Sequence, residues 1–200
     1  MIDQLLELDK ELFLFLNGLH APWLDMPMDY LSEKYFWIPL HAFLLAHVVL
    51  TFKKQSIIIL VALVITIALS DQSTTRFMKP LFERLRPSHE PSLEGLVHLV
   101  DNYKGGRYGF ASSHAANTFG VALFFTLLFR KSKPWMAWLF AWAALVSYTR
   151  IYLGVHYPGD ILVGALIGML WALISYGTCR WILNRIEKRN ASSPGEESLS

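Results

Sequence analysis

The chain has 200 residues, of which 54% are hydrophobic, 14% aromatic and only 17% charged, with a formal net charge of +2. Soluble domains average about a quarter charged residues, so the composition speaks against an ordinary soluble domain, and the small net charge gives no footing for a nucleic-acid partner. The single cysteine, Cys179, excludes an internal disulfide and lies in an apolar run, where packing explains it.

Near the N-terminus, Leu5–Leu19 reads LLELDKELFLFLNGL, with Asp9, Lys10 and Glu11 interrupting the apolar residues. No basic stretch precedes it, so it is not a signal peptide. The pattern predicts an amphipathic helix lying in a membrane interface, within a segment 1–34, with a sixth, poorly apolar span as the alternative. Five windows then carry no Asp, Glu, Lys or Arg: Tyr35–Phe52 (18 residues), Gln55–Ser70 (16), Tyr108–Phe129 (22), Pro134–Thr149 (16) and Ile161–Cys179 (19). A spanning helix needs about 20 mainly apolar residues, with about 17 at the lower end. The fold expected is therefore an all-α, polytopic membrane bundle of five transmembrane helices plus an N-terminal interfacial helix, its main domain covering 35–189. The remainder, 190–200 (NASSPGEESLS), is polar and predicted to be disordered. His41 and His47 in the first span read as satisfied core or interface histidines, and Trp23, Trp37, Trp135 and Trp181 as interface belt residues. Gly164 and Gly168 form a GxxxG pattern in the fifth span, read as close packing of two helices within the chain rather than as a dimer face. Asp71 and Arg76, at the end of the second span, fit a structural ion pair or interfacial contacts.

With five spans, Lys53–Lys54, the cluster Arg130, Lys131 and Lys133, and the cluster Arg180, Arg185, Lys188 and Arg189 share one side. The positive-inside rule makes that side cytoplasmic. The basic stretch Lys79–Arg107 falls on the other side, against the rule, unless its charges have a task.

Three polar clusters lie on that second side. KPLFERLRP, Lys79 to Pro87, offers Lys79, Arg84 and Arg86. Guanidinium forks and a mobile ammonium suit phosphate, although a basic loop touching anionic headgroups would look the same. GFASSHAANTFG, Gly109 to Gly120, places Ser112 and Ser113 as N-cap candidates with His114 in the first turn, where free N–H groups and the helix dipole favour an anion. TRIYLGVHYPGD, Thr149 to Asp160, sets Pro158 at a helix start and Asp160 four residues after His156. A carboxylate bonded to one imidazole nitrogen leaves the other free to attack or to accept a proton. Each cluster alone has a plain structural explanation. Together they gather costly ionisable groups at helix ends on one side, which marks a functional site equipped for phosphoryl transfer.

These residues resemble the type-2 phosphatidic acid phosphatase family, which carries the motifs K-x6-RP, PSGH and SR-x5-H-x3-D. Lys79 with Arg86–Pro87 matches the first, and Arg150, His156 and Asp160 match the third, with Thr149 for Ser. Ala111–His114 matches the second at Ser112 and His114, Ala111 and Ser113 standing for Pro and Gly. The resemblance implies that His156 is the nucleophile that forms a phosphohistidine, that Asp160 orients it, and that His114 is the general acid. It implies phosphate binding by Lys79, Arg86, Arg150, the Ser112 hydroxyl and the Ser113 amide, with no cofactor and no metal. If the site needs a positive φ at position 113, serine strains it; if it needs only a helix-start amide, serine serves. The implied substrate is a lipid phosphate or pyrophosphate: undecaprenyl pyrophosphate, phosphatidylglycerol phosphate, phosphatidic acid or lipid A. The implied location is a bacterial inner membrane with an extracytoplasmic site. The insert 88–107 would shape headgroup selection, with Arg107 more telling than His89 or His98. The rival is a non-catalytic phospholipid-binding or transport protein that keeps the fold; neither reading fixes the oligomeric state.

Overall fold

The computed structural model describes residues 2–191. Those residues are mainly helical, with loops over 94–112 and 153–157, one isolated bridge, Leu85 to Tyr108, and no strand. The helices are α1 (Ile2–Asn17), α2 (Pro22–Ser32), α3 (Ile38–Phe52), α4 (Ser56–Gln72), α5 (Lys79–Phe82), α6 (Ser113–Phe129), α7 (Leu139–Tyr152) and α8 (Pro158–Ala191). Each of the five charge-poor windows coincides with one of α3, α4, α6, α7 and α8; α3 and α6 lie within theirs, while α4, α7 and α8 run beyond them. The apolar helical stretches Lys34–Phe82 and Pro158–Ala191 are long enough to cross a bilayer. Asn190 and Ala191, expected in the tail, continue α8, and the rest of the expected tail lies outside the described residues.

The bundle is apolar outside as well as inside. Val48, Ile59, Phe124, Phe125, Phe129, Leu139 and Ala143 form the core, while Leu50, Ile57, Val64, Leu162 and Leu170 are exposed on the helix surfaces. Such broad apolar exposure suits hydrocarbon and not water. The few hydroxyls on α4 are satisfied locally: Thr66 and Ser70 donate to the carbonyls of Ala62 and Thr66, four residues back. Helices α6 and α8 touch backbone to backbone. A Cβ on Gly168 would come 1.8 Å from the Ala116 carbonyl oxygen, and one on Gly164 would come 2.3 Å from that of Ser112. The GxxxG pattern therefore packs two helices of one chain.

Helix α1 is amphipathic in an inverted sense. Its inner face carries Asp9, Phe13 and Asn17, four residues apart, with Phe13 and Asn17 buried, while Leu5, Leu8, Leu12 and Phe15 face outward. Asn17 donates to the carbonyls of His98, Ile151 and Tyr152, which ties α1 to the end of α7. The basic turns gather at the opposite end: Gln55, beside Lys53 and Lys54, donates to Glu187 near the end of α8.

Several expectations need correction. Trp37 is not a belt residue; its indole N–H donates to Leu31 and its ring packs edge-on against Trp142. His47, half-buried, lies against the rings of Phe43 and Phe129, and its buried Nε2 has no partner, so it is packed but not satisfied. Asp71 accepts from Thr75 and makes no ion pair with Arg76. His98, in the 88–107 insert, is tied into the fold: it meets Asp25 at 2.9 Å and stacks on His20.

Candidate active site

The end of the bundle away from the basic turns is built from four pieces of chain. Helix α4 runs through a π-helical stretch, Ser73–Met78, into α5, which delivers Lys79. Glu83, with φ +44°, then turns the chain in the left-handed region. The backbone bonds Arg86 N–H to Arg107 O and Gly109 N–H to Arg84 O hold the next strand-like stretch in place. The side chain of Arg86 is aimed by its Nε, which donates to Tyr108 O at 3.2 Å.

Ser112 caps α6, its hydroxyl accepting from the Ala115 N–H at 3.4 Å, and the helix starts at Ser113 with His114 in the first turn. The backbone of Ser113 is helical and free of the positive φ that would have demanded glycine. Its hydroxyl accepts from Lys79 Nζ and from Thr74 Oγ1, both at 2.9 Å, so the serine anchors the lysine. Thr149 bonds back to Val146 O within α7, which accounts for its hydroxyl without any part in the site. Arg150, buried at the end of α7, donates to Ser32 Oγ and lies 6.0 Å from the Tyr103 ring centre, while its Nε is buried without a partner.

His156 follows in the α7–α8 connection and Asp160 in the first turn of α8. Both are buried, with Asp160 Oδ2 at 3.2 Å from His156 Nδ1 and accepting the Tyr157 N–H at 3.1 Å. Burial first, then the charges of Arg86, Arg150 and Lys79, pushes His156 well below its ordinary value near 6.5. The ring is thus neutral at pH 7, and the bond from Nδ1 to the carboxylate leaves Nε2 with its lone pair. His114 lies within electrostatic reach of Arg150, His156, Arg86 and Lys79. Gly109 lets the chain pass close over the pair: a Cβ there would sit 3.0 Å from Asp160 Oδ2 and 3.5 Å from His156 Nδ1.

The structure therefore brings together all eight sequence-predicted site residues: Lys79, Arg86, Ser112, Ser113, His114, Arg150, His156 and Asp160. The PAP2 superfamily profile matches residues 42–183. The chain belongs to the PAP2 superfamily. It is 40% identical over 190 residues to the lipid A 4'-phosphatase of Bacteroides thetaiotaomicron, covering 94% of this chain and 84% of that protein. It is 32% identical over 180 residues to the undecaprenyl-diphosphatase of Sulfolobus acidocaldarius, covering 86% and 79%. The crystal structure of Aquifex aeolicus LpxE superposes with a TM-score of 0.60 at 32% identity, covering 84% of this chain and 94% of that one.

Sequence reasoning grouped Arg84 with the phosphate-binding cations. In the structure it pairs instead with Asp160 at 2.9 Å and with Asp9 at 2.7 Å, and it lies over the Tyr157 ring. Asp9, Ser32 and Tyr103 were not singled out as site residues. For Asp9 the signal was present, an acidic residue in register with Phe13 and Asn17; for Ser32 and Tyr103 there was none. Beside His114 opens a cavity of about 360 Å³, lined by His41, Asp71, Asn117, Trp142 and Val146 among others. The Asn117 Oδ1 and Trp142 Nε1 atoms, both on lining residues, are buried without partners.

Proposed function

We propose that this PAP2 protein is a membrane lipid phosphatase that cleaves a phosphomonoester from a sugar-bearing lipid of the lipid A type through a phosphohistidine. The observation that carries the reading is the His156–Asp160 pair beneath the converging Lys79, Arg86 and Arg150, with His114 close by. The cations hold the three phosphoryl oxygens and balance the charge that builds on them in the transition state. His156 Nε2 attacks phosphorus while Asp160 accepts the hydrogen bond from Nδ1–H and stabilises the imidazolium that forms. The bond from phosphorus to the leaving oxygen breaks, and His114 gives that oxygen a proton. His114, now neutral, takes a proton from water, whose oxygen attacks the phosphohistidine. Inorganic phosphate leaves and His156 returns to its starting state. No step calls for a metal.

Two considerations favour the sugar-bearing substrate over a polyprenyl pyrophosphate. The relative named lipid A 4'-phosphatase is the more similar of the two and the more fully covered. The cavity beside His114 is lined by Lys34, Asp71 and Asn117 beside the rings of Trp37, His41 and Trp142, a mix of polar side chains and aromatic faces that suits a hydroxylated leaving group. In the same reading five helices span the membrane, residues 1–34 form an interfacial segment, and 35–189 form the phosphatase domain. The basic turns face the cytoplasm, and the site opens on the outer face of a bacterial inner membrane.

The test is phosphate release by detergent-purified protein from lipid A, undecaprenyl pyrophosphate, phosphatidylglycerol phosphate and phosphatidic acid, with chelator present, beside His156→Ala. Chelator-resistant release, fastest from lipid A and lost in the variant, is the expected result. Equal traces from wild type and variant on every lipid would leave a lipid-binding protein instead.

A further inference from the structure

The site already described ends at Asp160, but the chain of contacts does not. Asp160 offers Oδ2 to His156 and Oδ1 to Arg84 Nη1 at 2.9 Å. The other guanidinium nitrogen of Arg84, Nη2, donates to Asp9 Oδ2 at 2.7 Å, while Asp9 Oδ1 accepts the Gly159 N–H at 2.7 Å. Arg84 is thereby clamped between two carboxylates, with its plane over Tyr157 at 4.0 Å. Asp9 also occupies one of the free N–H groups of the first turn of α8, the turn that carries Asp160. The fit is tight: a Cβ on Gly159 would come 2.7 Å from Asp9 Oδ2. Asp9 stands on α1, outside the span matched by the family profile.

We propose that Asp9 is a positioning residue: it fixes Arg84 and the first turn of α8, so that the Asp160 carboxylate keeps its orientation toward His156. Turnover then depends on α1 being seated on the bundle. The inference rests on His156 being the nucleophile. A guanidinium with two carboxylate partners has one arrangement; with Asp160 alone it can turn in its plane over the Tyr157 ring and draw that carboxylate away from the imidazole. Misplacement by about 1 Å at a reacting group can lower a rate about a hundredfold, so the effect belongs on kcat and not on lipid binding.

The experiment is a double-mutant cycle of Asp9→Asn and Arg84→Gln, read as kcat and KM on the best lipid of the panel, with melting temperature alongside. Asparagine keeps an acceptor for Gly159 and removes the charge that holds Arg84. The expected result is a kcat lowered about tenfold or more by Asp9→Asn, KM within about twofold, and no further loss when it is added to Arg84→Gln. Should Asp9→Asn not fold, Gly159→Ala displaces the same carboxylate and must show the same kcat loss, absent in the Arg84→Gln background. An unchanged kcat, a loss confined to KM, or independent losses in the double variant would overturn the proposal. His156→Ala assayed in parallel separates the two claims: if it retains activity, the nucleophile assignment fails instead.

Discussion

His156 sets the pH behaviour expected of this protein. Its environment disfavours the imidazolium, so the folded chain resists protonation that the unfolded chain accepts near 6.5. Stability contributed by this group is therefore full above that value and declines as the pH drops below it, toward the depressed folded value. Activity should follow the same group: the acid limb of kcat/KM lies below the ordinary histidine value, and Arg86→Gln, which removes a nearby cation, moves it upward. Profiles of the two proteins between pH 4 and 8 check this, and a limb near 6.5 in the wild type would contradict it. Ser113 makes a different point at the same scale. A residue that departs from the family motif holds Lys79 through its hydroxyl, so the departure is a compensated one.

At the scale of elements, the contact of α6 with α8 carries the site. Gly164 faces the carbonyl of Ser112, the cap of α6, and Ser112 N–H in turn donates to Asp160 O at 3.0 Å. Gly164→Ala has to push α8 away from that cap, at a cost of about 1–3 kcal/mol, and it should lower kcat as well as melting temperature. Gly177, farther along α8, has open space where a Cβ would go, so Gly177→Ala is the matched control and should gain up to about 1 kcal/mol without touching activity. Melting curves and phosphate release on the pair test both statements together. Helices like these were legible in the sequence because a charge-free window is a local property. The motif residues were legible because their spacing within each motif is local too. Asp9 with Arg84, 75 positions apart, and Asp9 with Gly159, 150 apart, leave no local pattern. Helix α2 also escaped notice: Pro22–Ser32 is short and contains Pro27, Asp25 and Asp29 among its apolar residues, yet it supplies Ser32 to Arg150. Trp37 was misread because a tryptophan beside a charged stretch looks the same from sequence whether it faces headgroups or a cavity.

For the molecule as a whole, the polarity along the bundle axis matters most. One end collects Lys53, Lys54, Arg130, Lys131 and Lys133 in turns; the other holds the site and the 88–107 insert. With Cys179 replaced by serine, a single cysteine at Leu96 should react with an impermeant maleimide added to intact spheroplasts. One at Lys131 should react only after lysis. The reverse pattern would put the site on the cytoplasmic face.

The cavity beside His114 is bounded by helices, whereas the side chains proposed to bind phosphate, Lys79, Arg86 and Arg150, stand at helix ends and in the adjoining loop. The two products would accordingly part into different phases, phosphate into water and the dephosphorylated lipid back into the bilayer. A catalyst arranged in this way samples its substrate in two dimensions. Its velocity is set by the fraction of the surface that the lipid occupies, so diluting the substrate with inert detergent at constant total amount slows the reaction even though nothing in the bulk concentration has changed.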